Sequence, residues 1–169
     1  MATTEDSLDD ALGRAYRYLG HRDRTVAEVR RHLLGRNIGE ETVESAIDEL
    51  KSQGYLDDAR LAQRFTEDRR TLDAWGSERI ERRLTELGVD RELIAAALTV
   101  GESGELDTAV EFLRRRFPIP PENDRDRDRA LKMLVRKGYP LELAYDAVNA
   151  LSRDVQHPAD SVLGRSPTA

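Results

Sequence analysis

Arginine is the residue type in this chain best equipped to do chemistry, and that chemistry is the holding of anions. A planar guanidinium presents five donors and grips a carboxylate or phosphate through two of them at once. The 169 residues carry 27 lysines and arginines against 33 acids, for a net charge of −6. The charges are strongly segregated. Residues 14–36 hold seven arginines (Arg14, Arg17, Arg22, Arg24, Arg30, Arg31 and Arg36) against Asp23 and Glu28, a local balance of +5. Residues 112–137 hold seven arginines and two lysines against four acids, again +5, whereas residues 40–58 hold seven acids against Lys51, a balance of −6. Such a chain can present a basic face despite an acidic isoelectric point. A solvated helix face remains the simpler account of any one run taken alone. Tyr16 and Tyr18 lie among Arg14, Arg17 and Arg22, an interleaving that can line a groove for single-stranded nucleic acid, and Trp75 raises the same question. Tyr16 shares the apolar stripe of its helix and is expected in the core; Tyr18 lies off it and is the freer ring.

No catalytic constellation accompanies these charges. His21, His32 and His157 are scattered, and no HExxH, CxxC or paired-histidine spacing supports a metal site. GxxxxGK[ST], GxGxxG and GxSxG are missing, so neither a nucleotide cradle nor a serine nucleophile has a handle in the sequence. Asp57 and Asp58 stand at a helix start, where capping explains them more simply than acid–base work. The expectation is a non-enzyme with no catalytic, metal-binding or cofactor-binding residues and no cofactor. Cysteine is absent, which excludes disulfides and thiolate zinc. No apolar run approaches the length of a bilayer span, and Met1–Asp10 is acidic where a signal peptide would be basic. A cytoplasmic protein without membrane contact is expected.

The arginines must be positioned by helices. One pattern, an apolar helix, a turn residue and an apolar residue opening the next helix, occurs three times: Leu33 to Ile38, Leu84 to Val89, and Leu134 to Tyr139. A shift of 51 residues carries Val29, Leu33, Asn37, Ile38, Val43 and Ile47 onto Ile80, Leu84, Gly88, Val89, Ile94 and Leu98. A further 50 reaches Ala130, Leu134, Gly138, Tyr139, Ala144 and Val148. Periods of this size mark repeat architectures. Hydrophobic residues make up 38% of the chain and aromatics 5%, a proportion that suits slender helical units with much exposed surface.

The expected fold is therefore all-α: three tandem three-helix repeats, at 10–56, 57–101 and 102–152, forming an elongated, curved array. Residues 1–9 and 153–169 are expected to be disordered tails. Thr25 and Glu28 predict a capping box. Asn37, Gly54, Gly88 and Gly138 stand where a helix must end in a left-handed turn. Either Asp57 or Asp58 can cap the helix carrying Leu61, Ala62, Phe65 and Leu72, and Asp90 the one carrying Leu93, Ile94, Ala97 and Leu98. Leu106, Ala109, Val110 and Leu113 form a stripe that Pro118–Pro121 must terminate. Pro140 fits the opening turn of the last helix.

Several stretches resemble the RecX family. Arg24-Thr25-Val26-Ala27-Glu28-Val29 resembles its R-[ST]-x-x-E-[LV] opening, and Gly54-Tyr55-Leu56-Asp57-Asp58 followed by Leu61-Ala62 is similar to its most recognisable motif. Gly76, Ile80, Leu84, Gly88 and Val89 follow the second-repeat signature, and Arg136-Lys137-Gly138-Tyr139 the close of the third. The match runs from about residue 10 to 152. The resemblance implies a regulator, typically an inhibitor, of the RecA recombinase in recombinational repair and the SOS response. Such proteins are built of three-helix units and lodge in the groove of the RecA–single-stranded-DNA filament, blocking its extension, strand exchange and ATP hydrolysis. On that footing the expected contacts are Arg30, Arg31, Arg82, Arg83, Arg114, Arg115 and Arg116, facing acidic recombinase surface or phosphates, with Tyr55 a packing anchor. The net acidity implies weak binding to free DNA, and a monomer is expected. Pro118–Pro121 is a stiffer connection than the family pattern implies.

Two other functions fit the same residues. One is a nucleic-acid-binding helical repeat acting without a recombinase, whose affinity would fall steeply with salt. The acids of residues 40–50 argue against groove reading by the helix they occupy. The other is a helical scaffold for a different protein.

Overall fold

The computed structural model describes residues 4–101 and 104–156, and these contain nine helices and no strand. In chain order they are α1 (Thr4–Leu19), α2 (Val26–Leu34), α3 (Glu40–Ser52), α4 (Asp58–Asp73), α5 (Ser77–Glu86), α6 (Arg91–Thr99), α7 (Glu105–Arg116), α8 (Asp124–Lys137) and α9 (Leu141–Gln156). Among the described residues no helix is long and apolar enough to cross a membrane.

The turns between helices follow from backbone sterics. Asn37 (φ 61°), Gly54 (76°), Gly88 (81°) and Gly138 (89°) all adopt the left-handed conformation, which Gly and Asn tolerate best. Asp90 caps α6 by accepting from the Glu92 N–H at 2.8 Å, and Asn123 caps α8 by accepting from Asp126 N–H at 2.9 Å. Asp57 takes the capping role at α4, accepting from Arg60 N–H at 2.9 Å.

The helices group into two compact units: one comprises residues up to Asp68 together with Glu81–Val100, the other Arg69–Ile80 together with Gly101 onward. The first is centred on α1, α2 and α3, whose buried residues Ala15, Val29, Leu33, Val43, Ile47 and Leu50 form one cluster with Leu56. The second is centred on α7, α8 and α9, where Leu113, Ala130, Leu134, Tyr139, Ala144 and Val148 play the same part. Residues equivalent under the repeat thus occupy equivalent places: Leu33, Leu84 and Leu134 are each fully buried, as are Val29, Ile80 and Ala130. Helices α4 and α5 each contribute residues to both units.

Four expectations are corrected. Helix α1 begins at Thr4 rather than near Asp10, because the stretch before Asp10 carries only Leu8 among apolar residues after Thr4 and so shows no stripe. Helix α9 continues past residue 152 to Gln156; the rest of the two expected tails, residues 1–3 and 157–169, lies outside the described residues, as does the expected start of the third repeat at 102. Leu72 is exposed, since Ala62 and Thr66 set the inward face of α4 and leave Leu72 off it. In α7, Leu106 is partly exposed while Glu105 is buried, turned inward by the partners described next.

Candidate functional site

The family-motif residues meet at two junctions of the same design, each at the N-terminus of a repeat's middle helix. At the first, Thr25 is fully buried, and its hydroxyl accepts from the Glu28 N–H at 3.1 Å while donating to the Leu87 carbonyl at 2.7 Å. Glu28 completes the capping box by accepting from the Thr25 N–H at 3.0 Å, and takes Arg22 Nη2 at 2.5 Å and Arg24 Nη1 at 3.4 Å. Burial alone would raise the Glu28 pKa, but the Thr25 amide and the two guanidiniums hold it below the usual carboxylate range. Asp58, free of capping duty at α4, accepts from the Val26 N–H at 2.9 Å. Burial pushes its pKa up despite that bond. Gly88 closes the junction: a Cβ built there would overlap the Cβ of Ala27.

The second junction repeats the plan with other groups. The Gly76 and Glu78 amides donate to the Lys137 and Gly138 carbonyls, each at 3.0 Å. Glu105, from the start of α7, accepts from the Ser77 N–H at 2.7 Å, as Asp58 from the start of α4 serves Val26. Gly138 leaves no room for a Cβ beside Arg79, nor does Gly76 beside Gly138. Lys137 Nζ donates to the Asp73 carbonyl at 2.7 Å. Glu105 and the Gly76 contact were missed in the sequence, because a lone acid before an apolar stripe reads as surface.

The seven expected arginine contacts divide by partner. Arg30 makes a two-pronged pair with Glu44, Nε at 2.6 Å and Nη2 at 2.9 Å, and the hydrogen bond shifts both groups further toward their charged forms. Arg83 pairs with Glu86 at 2.8 Å, and Arg115 and Arg114 both approach Glu111. Arg31, Arg82 and Arg116 are exposed and have no side-chain partner among the described residues. The motif residues thus meet at the junctions, while the arginines are carried by α2, α5 and α7.

The rings are placed differently from expectation. Tyr18 is not free: it stacks on His32 at 4.0 Å with parallel planes, and the Arg24 guanidinium also lies over its ring, 4.2 Å from the centroid. Burial, with Arg36, Arg24 and Arg14 nearby, lowers the His32 pKa. Tyr55 is 57% exposed, and the inward anchor after Gly54 is its neighbour Leu56 at 3%. The left-handed turn sends Leu56 to the core and lays Tyr55 edge-on against Tyr16, 5.2 Å between centroids. The Arg79 and Arg69 guanidiniums lie over the Trp75 ring, 4.1 Å and 5.6 Å from its centroid.

A further basic stripe was overlooked in the sequence. Arg125, Arg129, Lys132 and Arg136 recur at spacings of four, three and four along α8, all exposed, which places them on one helical face. The alternation of Asp and Arg at residues 124–129 disguised it.

Two family profiles match the chain: RecX, first three-helix domain, over residues 11–50, and RecX, second three-helix domain, over residues 57–98. The chain is 30% identical over 160 residues to the regulatory protein RecX of Leptothrix cholodnii, covering 95% of this chain and 98% of that one. It is 30% identical over 154 residues to the regulatory protein RecX of Mycobacterium avium, covering 88% and 89%. Its fold resembles the crystal structure of RecX from Lactobacillus salivarius with a TM-score of 0.78 at 20% identity, over 88% of this chain and 99% of that one.

Proposed function

This chain belongs to the RecX family, and on that premise we propose that it regulates the RecA recombinase, as an inhibitor that binds the recombinase–single-stranded-DNA filament and blocks its extension and activities in recombinational repair and the SOS response. The observation that carries this reading is the end-to-end similarity to regulatory RecX proteins, which spans all three repeats. The protein would act as a monomer in the cytoplasm, without catalysis of its own. Blocking needs no reacting group. It needs a surface that fits the filament and a backbone stiff enough that occupying the surface obstructs addition or movement of a protomer. The two junctions support such stiffness, since each ties the N-terminus of a middle helix to carbonyls and a carboxylate of the next repeat. Arg31, Arg82 and Arg116 supply charge not already committed to an ion pair, for recombinase carboxylates or exposed phosphates. Arg30, Arg83, Arg114 and Arg115 would exchange an internal partner for an external one.

The test is the recombinase's single-strand-dependent ATP hydrolysis as this protein is titrated in at fixed salt. Inhibition well below one protein per protomer marks capping of filament ends, and inhibition only near saturation marks groove occupation. A folded protein without effect would overturn the proposal. The three unpaired arginines also favour a second reading, direct binding of single-stranded nucleic acid. That reading requires affinity without recombinase that falls steeply with salt, because released counterions gain less entropy when bulk salt is high.

A further inference from the structure

Helices α8 and α9 carry an open groove that the two junctions do not use. Its floor is set by Arg127, whose guanidinium reaches from α8 to Asn149 at 2.6 Å and Ser152 at 3.3 Å on α9. Two adjoining hollows share Leu131: one runs on to Val135 and Leu141, the other to Tyr145. Val135, Leu141 and Tyr145 are 43%, 55% and 52% exposed, although they lie on helices whose opposite faces fill the core. Beside this apolar strip run Arg125, Arg129, Lys132 and Arg136, a stripe about 16 Å long by the rise of an α-helix. Only Lys132 has an acidic partner, Asp128 at 2.6 Å; the three arginines have no side-chain partner among the described residues.

We propose that this groove docks a short amphipathic helix of the recombinase, its apolar face against Leu131, Val135, Leu141 and Tyr145 and its acidic flank along the Arg125–Arg136 stripe. The assignment rests on the function proposed above for the identity of the protein supplying that helix. Charge complementarity selects the occupant. Carboxylates four residues apart on a helix stand about 6 Å from one another, matching the spacing of the stripe. An apolar strip bordered by one row of cations is the arrangement that takes a helix into a groove. A phosphodiester strand would meet the same arginines but would gain nothing from the three aliphatic residues.

The experiment places the photo-crosslinking residue p-benzoylphenylalanine at Tyr145 in the full chain and irradiates it with recombinase assembled on single-stranded DNA. ATP hydrolysis is measured in parallel with the unsubstituted protein. The expected result is an adduct on a recombinase segment with alternating apolar and acidic helical spacing, mapped by mass spectrometry. A double variant, Arg129→Glu with Arg136→Glu, is expected to raise the midpoint of inhibition by about tenfold, an effect typical of a few central interface contacts. Its thermal midpoint should be unchanged, because both residues are exposed. Inhibition that persists with adducts only to DNA or to a second copy of this chain, or with none, overturns the groove and leaves the function standing. No inhibition and no adduct overturns both.

Discussion

Gly88 packs against Ala27 with no room for a side chain of its own: a Cβ on Gly88 would stand 2.4 Å from the Ala27 methyl. The glycine also sits at φ 81°. The left-handed conformation costs a residue with a Cβ about 1–2 kcal/mol before any overlap is counted. Gly88→Ala should therefore destabilise the fold by more than about 2 kcal/mol, and Gly138→Ala should do likewise against Arg79. Gly13→Ala is the contrast. It lies inside α1 with open space around it, so it should stabilise by about 0.5–1 kcal/mol. Chemical denaturation of the three variants measures all of these, and a neutral Gly88→Ala would show that the junction is not tightly packed.

Thr25 serves two helix ends through one oxygen. Thr25→Ala removes the cap on α2, at about 1–2 kcal/mol, and also strips the Leu87 carbonyl of its donor, at about 1 kcal/mol more. Thr25→Ser keeps both bonds and loses one buried methyl, about 0.8 kcal/mol. The serine variant should melt close to the parent and the alanine variant well below it. Equal losses in calorimetry would argue that the methyl, rather than the hydroxyl, matters.

Two acids at the same junction should give opposite pH signatures. The Glu28 pKa lies below its ordinary 4.5 in the folded chain, so the unfolded chain holds that proton more tightly. The stability it contributes is fully present above about pH 4.5 and is lost as pH falls through the folded value. Asp58 has its pKa raised above 3.8, so it favours the fold at low pH and loses that contribution as pH rises through its folded value. Glu28→Gln, which retains a capping acceptor, should flatten the acid limb of stability against pH. Asp58→Asn should steepen it. Urea midpoints between pH 3 and 7 decide the matter, and limbs that moved together would refute the assignment.

The arginines without ion-pair partners should separate binding from folding. Arg31→Ala, Arg82→Ala and Arg116→Ala are expected to change stability by less than about 0.5 kcal/mol while weakening inhibition of the recombinase ATPase. Arg30→Ala should lower both, because Glu44 loses its two-pronged partner. Parallel thermal melts and ATPase titrations provide the check. Inhibition unchanged in the triple variant would remove these three from the contact surface.

Positions that tolerate few residue types were the legible ones. Asn37, Gly54, Gly88 and Gly138 announced left-handed turns, and all four adopt them, because few side chains fit that backbone. The apolar register also carried through, with Leu33, Leu84 and Leu134 buried at corresponding places. Adjacent residues were harder to sort. After Gly54 the sequence offers Tyr55 and Leu56 in succession, and only the turn geometry decides which goes inward. Glu105 was illegible for another reason: its burial is justified by the Ser77 amide, 28 residues earlier in the chain. The α8 stripe was hidden because its arginines alternate with aspartates in sequence but not on the helix surface.

The junctions also carry an electrostatic consequence. At each one the amino end of a middle helix abuts the carboxyl end of the next repeat's middle helix: Thr25 meets Leu87, and Gly76 and Glu78 meet Lys137 and Gly138. Aligned peptide dipoles give these ends partial charges of about +0.5 and −0.5, so each contact joins opposite charges in a partly buried place, where salt screens them less than at an open surface. Ionic strength should therefore loosen the exposed arginine contacts to a partner long before it loosens the joints between repeats.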